Sequence, residues 1–68
     1  MIDLAALKQL EGHVLDLRFN DGLTVRGRLI DVDLHSKLHE IIYDPIDDVE
    51  VHVARTVSGD TLASWAPV

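Results

Sequence analysis

The stretch from Gly12 to Asp33, GHVLDLRFNDGLTVRGRLIDVD, constrains the fold more than any other part of the chain. Leu15, Leu17 and Phe19 alternate with Asp16 and Arg18, the period of a strand that buries one face. A second alternation, Leu23, Val25, Gly27 and Leu29, is spaced by Thr24, Arg26 and Arg28, and Asn20-Asp21-Gly22 lies between the two. A turn of Asp21 and Gly22 alone would set Phe19 opposite Thr24. Opposed residues share a face, so that register mixes core with solvent along the whole ladder. A loop of Asn20, Asp21 and Gly22 instead sets Phe19 opposite Leu23, Leu17 opposite Val25 and Leu15 opposite Gly27. Every apolar residue then falls on one side, and Asp16 meets Arg26 as an opposite-charge pair. The longer loop is the expected one, with Gly22 in the left-handed conformation that a type I turn with a bulge requires.

Beyond Leu29 the apolar phase slips, to Ile30, Val32 and Leu34. One strand buries both sets only if it bends sharply, and Gly27 is the expected bend or bulge. Upstream, Asp3 is a plausible N-cap for a short helix from Leu4 to Glu11, with Ile2 stapled to Leu7 and Leu4, Leu7 and Leu10 along one face. Gly12 ends it. Two turns do not persist alone in water, so the helix is expected to lie across an open end of the sheet. Downstream, His35-Ser36-Lys37 reads as a polar turn, Leu38 to Tyr43 as a third strand, and Asp44 to Asp48 as a turn around Pro45. Val49, Val51 and Val53 alternate as a fourth strand. Ser58-Gly59-Asp60 turns the chain into a fifth, Thr61 to Trp65. A helix followed by five short antiparallel strands gives the expected fold: a mainly β, SH3-like barrel filling residues 1–68 as one domain.

A chain of 68 residues buries only about 60% of its unfolded surface and needs support from disulfides, metals or oligomerisation. There are no cysteines, yet 47% of residues are hydrophobic. A homo-oligomer that buries apolar surface between copies is the expected support. The formal charge of −6 disfavours broad non-specific binding to phosphate backbones. The opening Met-Ile-Asp-Leu lacks a basic region and long apolar core, and no apolar run is long enough to span a membrane. The expected location is cytoplasmic.

Gly12, the alternating strand from Val14, Asp21-Gly22, Gly27-x-Leu29 and Asp33-x-His35 together resemble the first signature motif of the Sm-like (LSm, Hfq-related) family. The resemblance covers about half the chain. It implies a ring of six or seven copies, built by pairing the fourth strand of one with the fifth of the next, with single-stranded RNA bound around the pore. It also implies site residues. His35 stands where the family often places a base-stacking residue. Lys37 stands where the family has a base-reading Asn, and Ser36 where it has Met. For the Arg-Gly of the second motif this chain offers Arg55, followed by Thr56. RNA binding through His35, Lys37 and Arg55 is thus one expectation; the other is a structural or protein-interaction module that keeps the barrel and has lost RNA.

Other constellations point to little chemistry. Arg18, Arg26 and Arg28 alternate on the outward face of the hairpin, where Asp16 neutralises part of the strip. Asp33, His35, His39 and Glu40 contain two histidines four apart, which on extended chain is roughly 13 Å, too far for one ion. His13 and His52 read as half-exposed strand residues. Asp44, Asp47, Asp48 and Glu50 crowd a segment with Pro and no Gly, unlike a calcium loop. There is no Cys nucleophile, Gly-x-Ser-x-Gly elbow or Gly-rich phosphate loop. An enzyme is not expected, nor a metal or cofactor.

Overall fold

A computed structural model describes residues 2–46 and 53–68. Helix α1 (Leu4–Lys8) precedes strands β1 (Val14–Phe19), β2 (Thr24–Val32), β3 (Ile41–Pro45), β4 (Arg55–Val57) and β5 (Leu62–Pro67). A 3-10 turn, Gly59–Thr61, joins the last two strands. All five strands form one antiparallel sheet in the order β4-β3-β2-β1-β5. Helix, strand number and direction agree with expectation. Closure does not: the sheet is open, and among the described residues no ladder joins β4 to β5.

The hairpin has the register that face-matching requires. Leu15 opposes Gly27, Asp16 opposes Arg26 and Leu17 opposes Val25. The loop closes with Phe19 N–H donating to Leu23 O at 2.8 Å and Gly22 N–H to Phe19 O at 3.0 Å. Gly22 has φ +91°. Asp16 and Arg26 meet at 2.8 Å, and the guanidinium holds the Asp16 carboxyl below its usual range.

The phase slip is absorbed at Ile30, not at Gly27. Leu29 opposes Tyr43 and Asp31 opposes Ile42, so Ile30 is the extra residue of a bulge. It points outward, 47% exposed, and lets Leu29 and Val32 both be buried three positions apart. Gly27 serves close packing instead. A Cβ there would lie 2.9 Å from the Tyr43 ring and 3.0 Å from Asp44 O. The missing side chain lets Tyr43 pack close over the sheet.

Several boundaries move. The expected Leu4–Glu11 helix stops at Lys8, and the chain continues to Gly12 (φ +90°) through turns such as Glu11 N–H to Lys8 O. Asp3 caps it, its Oδ1 accepting from Ala6 N–H at 3.1 Å. The third strand starts at Ile41, three residues later than expected, and runs on through Asp44 and Pro45, where a turn is expected. Pro45 is tolerated because β4 pairs β3 only from Ile41 to Tyr43. Among the described residues the strand is locally an edge at Pro45, where the absent N–H breaks no bond. The fourth strand is Arg55–Val57; the expected one at 49–53 lies outside the described residues except for Val53, which is an exposed bend. Asp47, Asp48, Glu50 and His52 also lie outside them. The fifth strand runs Leu62–Pro67, with Ala63 as a bulge between the Phe19–Leu62 and Arg18–Ser64 pairs.

The core is Leu7, Leu15, Leu17, Phe19, Leu29, Val32, Ile41, Tyr43 and Leu62. Leu7, fully buried, anchors the helix. A polar clamp ties α1 to the end of β2: Lys8 Nζ donates to Val32 O (2.8 Å), Glu11 Oε2 (3.0 Å) and Asp31 Oδ1 (3.4 Å). Glu11 Oε2 also accepts from Val32 N–H at 2.9 Å. That backbone bond, followed by the Lys8 bond, lowers the Glu11 pKa, while the Glu11 bond raises that of Lys8.

Candidate functional site

His35 and Lys37 sit on the loop between β2 and β3, and the sequence folds that loop from its own polar groups. Asp33 Oδ1 accepts from the backbone N–H of His35 (3.0 Å) and Ser36 (3.1 Å). Ser36 Oγ donates to Asp33 O at 3.3 Å and accepts from Glu40 N–H at 3.1 Å. Asp33 N–H closes the neck on Glu40 O at 2.9 Å. Just before β3 the chain turns through His39 at φ +47°, a left-handed conformation that His adopts more readily than most residues. The loop thus holds its shape while the His35 and Lys37 side chains stand exposed.

Arg55 lies elsewhere. It opens β4 opposite Tyr43, whereas the end of β4 nearer the loop is Val57, opposite Ile41. The residue after β4 that reaches the loop is Gly59, whose N–H donates to Leu38 O at 2.9 Å. Arg55 instead lines an open groove of about 800 Å³ with Phe19, Asp21, Leu23, Tyr43 and Asp60, to which neither His35 nor Lys37 contributes. The three residues expected to act together therefore divide into a loop pair and a separate strand residue.

The cations divide in a second way. Lys8 is in the clamp, Arg26 holds Asp16, and Arg28 Nη1 donates to Gly12 O at 2.7 Å. Arg18, Lys37 and Arg55 make no side-chain hydrogen bond or ion pair among the described residues. The outward arginine strip of the hairpin is accordingly a partly neutralised face with one unpaired member, Arg18. Among the described residues no group of His, Asp and Glu is arranged to hold a metal ion, so Asp33, His35, His39 and Glu40 do not converge. No helix there is long and apolar enough to cross a membrane.

The Sm-like resemblance expects the fourth and fifth strands to pair between copies, but the residue reading did not single out the uncharged tract that the fifth presents. Among the described residues β4 pairs only with β3, and β5 only with β1, which leaves an outer backbone edge on each. From Thr61 to Val68 there is no charged residue, so β5 lacks the charges that usually protect an edge. Trp65, the single Trp of the chain, stands on β5 opposite Leu17, half-buried against the core. The signal available in the sequence was the uncharged tract itself. Comparison with protein-family models, with curated proteins and with solved structures finds no match to the chain.

Proposed function

We propose that the chain is a homo-oligomeric Sm-like module, an interaction scaffold in which the β4 edge of one copy pairs with the β5 edge of the next. The observation that carries this is the strand order: β4 and β5, the strands that Sm-like assembly joins, are the two outermost in an open sheet. Hydrophobic need points the same way. Among the described residues the core consists of nine, while Leu23, Ile30, Leu38, Ile46, Val53 and Val68 are all exposed, a poor balance for so short a domain alone. Pairing edges satisfies open backbone groups and covers apolar surface together. Light scattering at micromolar concentration tests it; a monomer there sinks the proposal.

A second function, binding of single-stranded RNA, is supported by the exposed His35 and Lys37, whose side chains have no hydrogen-bond or ion-pair partner among the described residues, on a loop braced by Asp33. A ring would repeat that pair in every copy, and stacking on His35 contributes about 1–3 kcal/mol per base. Arg55 would join only through assembly. Fluorescence anisotropy with oligo-U and oligo-A at two salt concentrations tests this; no signal at low salt leaves the scaffold alone.

A further inference from the structure

We infer that the groove lined by Arg55 and Asp60 is a small-molecule site for a zwitterion with an aromatic body, the chemistry of a free aromatic amino acid or its dipeptide. The site belongs to a single copy and does not rest on edge pairing. Its floor is apolar. Phe19 and Tyr43 lie there with ring centroids 6.3 Å apart, tilted by 39°. Leu23, 57% exposed at the hairpin tip, adds an apolar wall that the domain itself leaves uncovered. A cleft of about 800 Å³ with this lining has the size and character of a small-ligand site.

Register puts a cation on that apolar surface. Arg55 opposes Tyr43 and Val57 opposes Ile41 in the β3–β4 ladder, and opposed residues share a face. Tyr43 and Ile41 are core residues, and Val57 packs against the core. Arg55 therefore leaves β4 on the core face of the sheet, not on the face of Thr56 and Ile42. Asp60 supplies the opposite charge at the hairpin tip. Its turn is tied there by Asn20 Nδ2 donating to Asp60 O at 2.7 Å and Asn20 N–H donating to Thr61 O at 2.9 Å.

Other polar groups of the groove are used internally. Asp21 Oδ1 accepts from Leu23 N–H at 2.9 Å, and Thr61 Oγ1 donates to Ser58 O at 2.7 Å. The side chains of Arg55 and Asp60 are exposed and make no hydrogen bond or ion pair among the described residues, not even with each other. Two unpaired charges of opposite sign, set apart over an aromatic floor, fit a ligand that carries both signs. The overall charge of −6 and the second carboxylate, Asp21, disfavour a simple anion on Arg55, whereas a neutral zwitterion is not repelled. Its carboxylate accepts from the Arg55 guanidinium, whose planar fork matches it. Its ammonium donates to the Asp60 carboxylate, and its ring covers Leu23 and the floor, where aromatic pairs favour tilted or offset contact.

Titration of the isotope-labelled full chain with L-phenylalanine and with phenylalanylalanine, followed by amide chemical shifts, tests the site. Saturable shifts are expected at Leu23, Thr56 and Ser58, with Kd between about 0.1 and 10 mM, the range open to ligands of this size. The tighter probe identifies the amino acid or the peptide as the source. Phenylpropionate, which lacks the ammonium, and phenethylamine, which lacks the carboxylate, are each expected to bind about fivefold more weakly than L-phenylalanine. Arg55→Gln and Asp60→Asn are each expected to weaken L-phenylalanine about fivefold, while Arg55→Gln leaves phenethylamine and Asp60→Asn leaves phenylpropionate as in the parent. Arg18→Gln, a change of unpaired charge in the middle of the sheet, is expected to leave every probe unchanged. Both site residues are exposed, and circular dichroism checks that each variant folds. The site is overturned by the absence of saturable shifts with both zwitterions at about 20 mM. Analogues that bind as tightly as L-phenylalanine, or variants that bind it like the parent, overturn it too. The shifts report on the groove in a monomer and in an assembly alike, so this failure is distinct from that of edge pairing, which light scattering reads.

Discussion

Gly59→Ala isolates the contact that joins α1, the loop after β2 and the turn before β5. A Cβ at Gly59 would lie 2.6 Å from His39 O and 2.8 Å from Leu4 Cδ1. The first contact falls about 0.8 Å short of the 3.4 Å at which ordinary van der Waals contact begins. Leu4 can rotate away; a carbonyl oxygen moves only with its backbone. That backbone is already committed, through Gly59 N–H to Leu38 O at 2.9 Å and Ile41 opposite Val57. Overpacking of this kind costs about 1–3 kcal/mol, and a lost backbone hydrogen bond adds about 1 kcal/mol. For a domain of this size the sum of about 2–4 kcal/mol predicts a fall in Tm of roughly 8–30 °C. Gly22→Ala is the matched control. A Cβ at Gly22 meets nothing within 4 Å, but φ is +91°, so its cost is conformational, about 1–2 kcal/mol. Asn tolerates that backbone, so Gly22→Asn should recover part of the loss, whereas Gly59→Asn should be no better than Gly59→Ala. Thermal unfolding followed by circular dichroism reads all four variants. A Gly59→Ala protein within about 3 °C of the parent would refute the steric reasoning.

The clamp on α1 predicts the shape of the pH profile. Glu11 and Asp16 have pKa values lowered from 4.5 and 3.8, so their stabilisation is present above those values and is lost as pH falls through the lower folded ones. The Lys8 pKa is raised from 10.5, so its contribution is present below that value and is lost as pH rises through the higher folded one. Urea midpoints across pH should therefore fall at both ends, and Glu11→Gln should flatten the acid limb; an unchanged acid limb removes the clamp as its source. For RNA, His35→Ala should weaken any binding more than His13→Ala, and equal effects in anisotropy would end the stacking assignment.

The hairpin was legible because alternation and opposed charge bear on one register, and both are local. The bulge was legible only as a slip of phase. Its position was not, since Gly27 offered the cheaper bend while the close approach of Tyr43 that requires a glycine there comes from β3. The same cause moved β3: Pro45 reads as a turn until β4 is known to end its pairing at Tyr43. Within the candidate site, Asp33 predicts a polar turn that presents His35 and Lys37. The separation of Arg55 from them depends on which end of β4 lies near the loop, and alternating valines do not encode it.

Strand β1 occupies an unusual place in time as well as in space. Its inner neighbour, β2, is the next element of the chain, but its outer neighbour is the last, with Leu15 opposite Pro67. Half of its ladder can form as soon as the hairpin is synthesised; the other half waits until residue 67 has emerged. Until then the β1 edge is open beside Leu17, and any strand that arrives first can occupy it. Such distant pairing slows folding towards the millisecond-to-second range of β-rich domains. A nascent chain therefore passes through a state in which Leu15 and Leu17 have their β2 partners but the position later filled by β5 is still open to water.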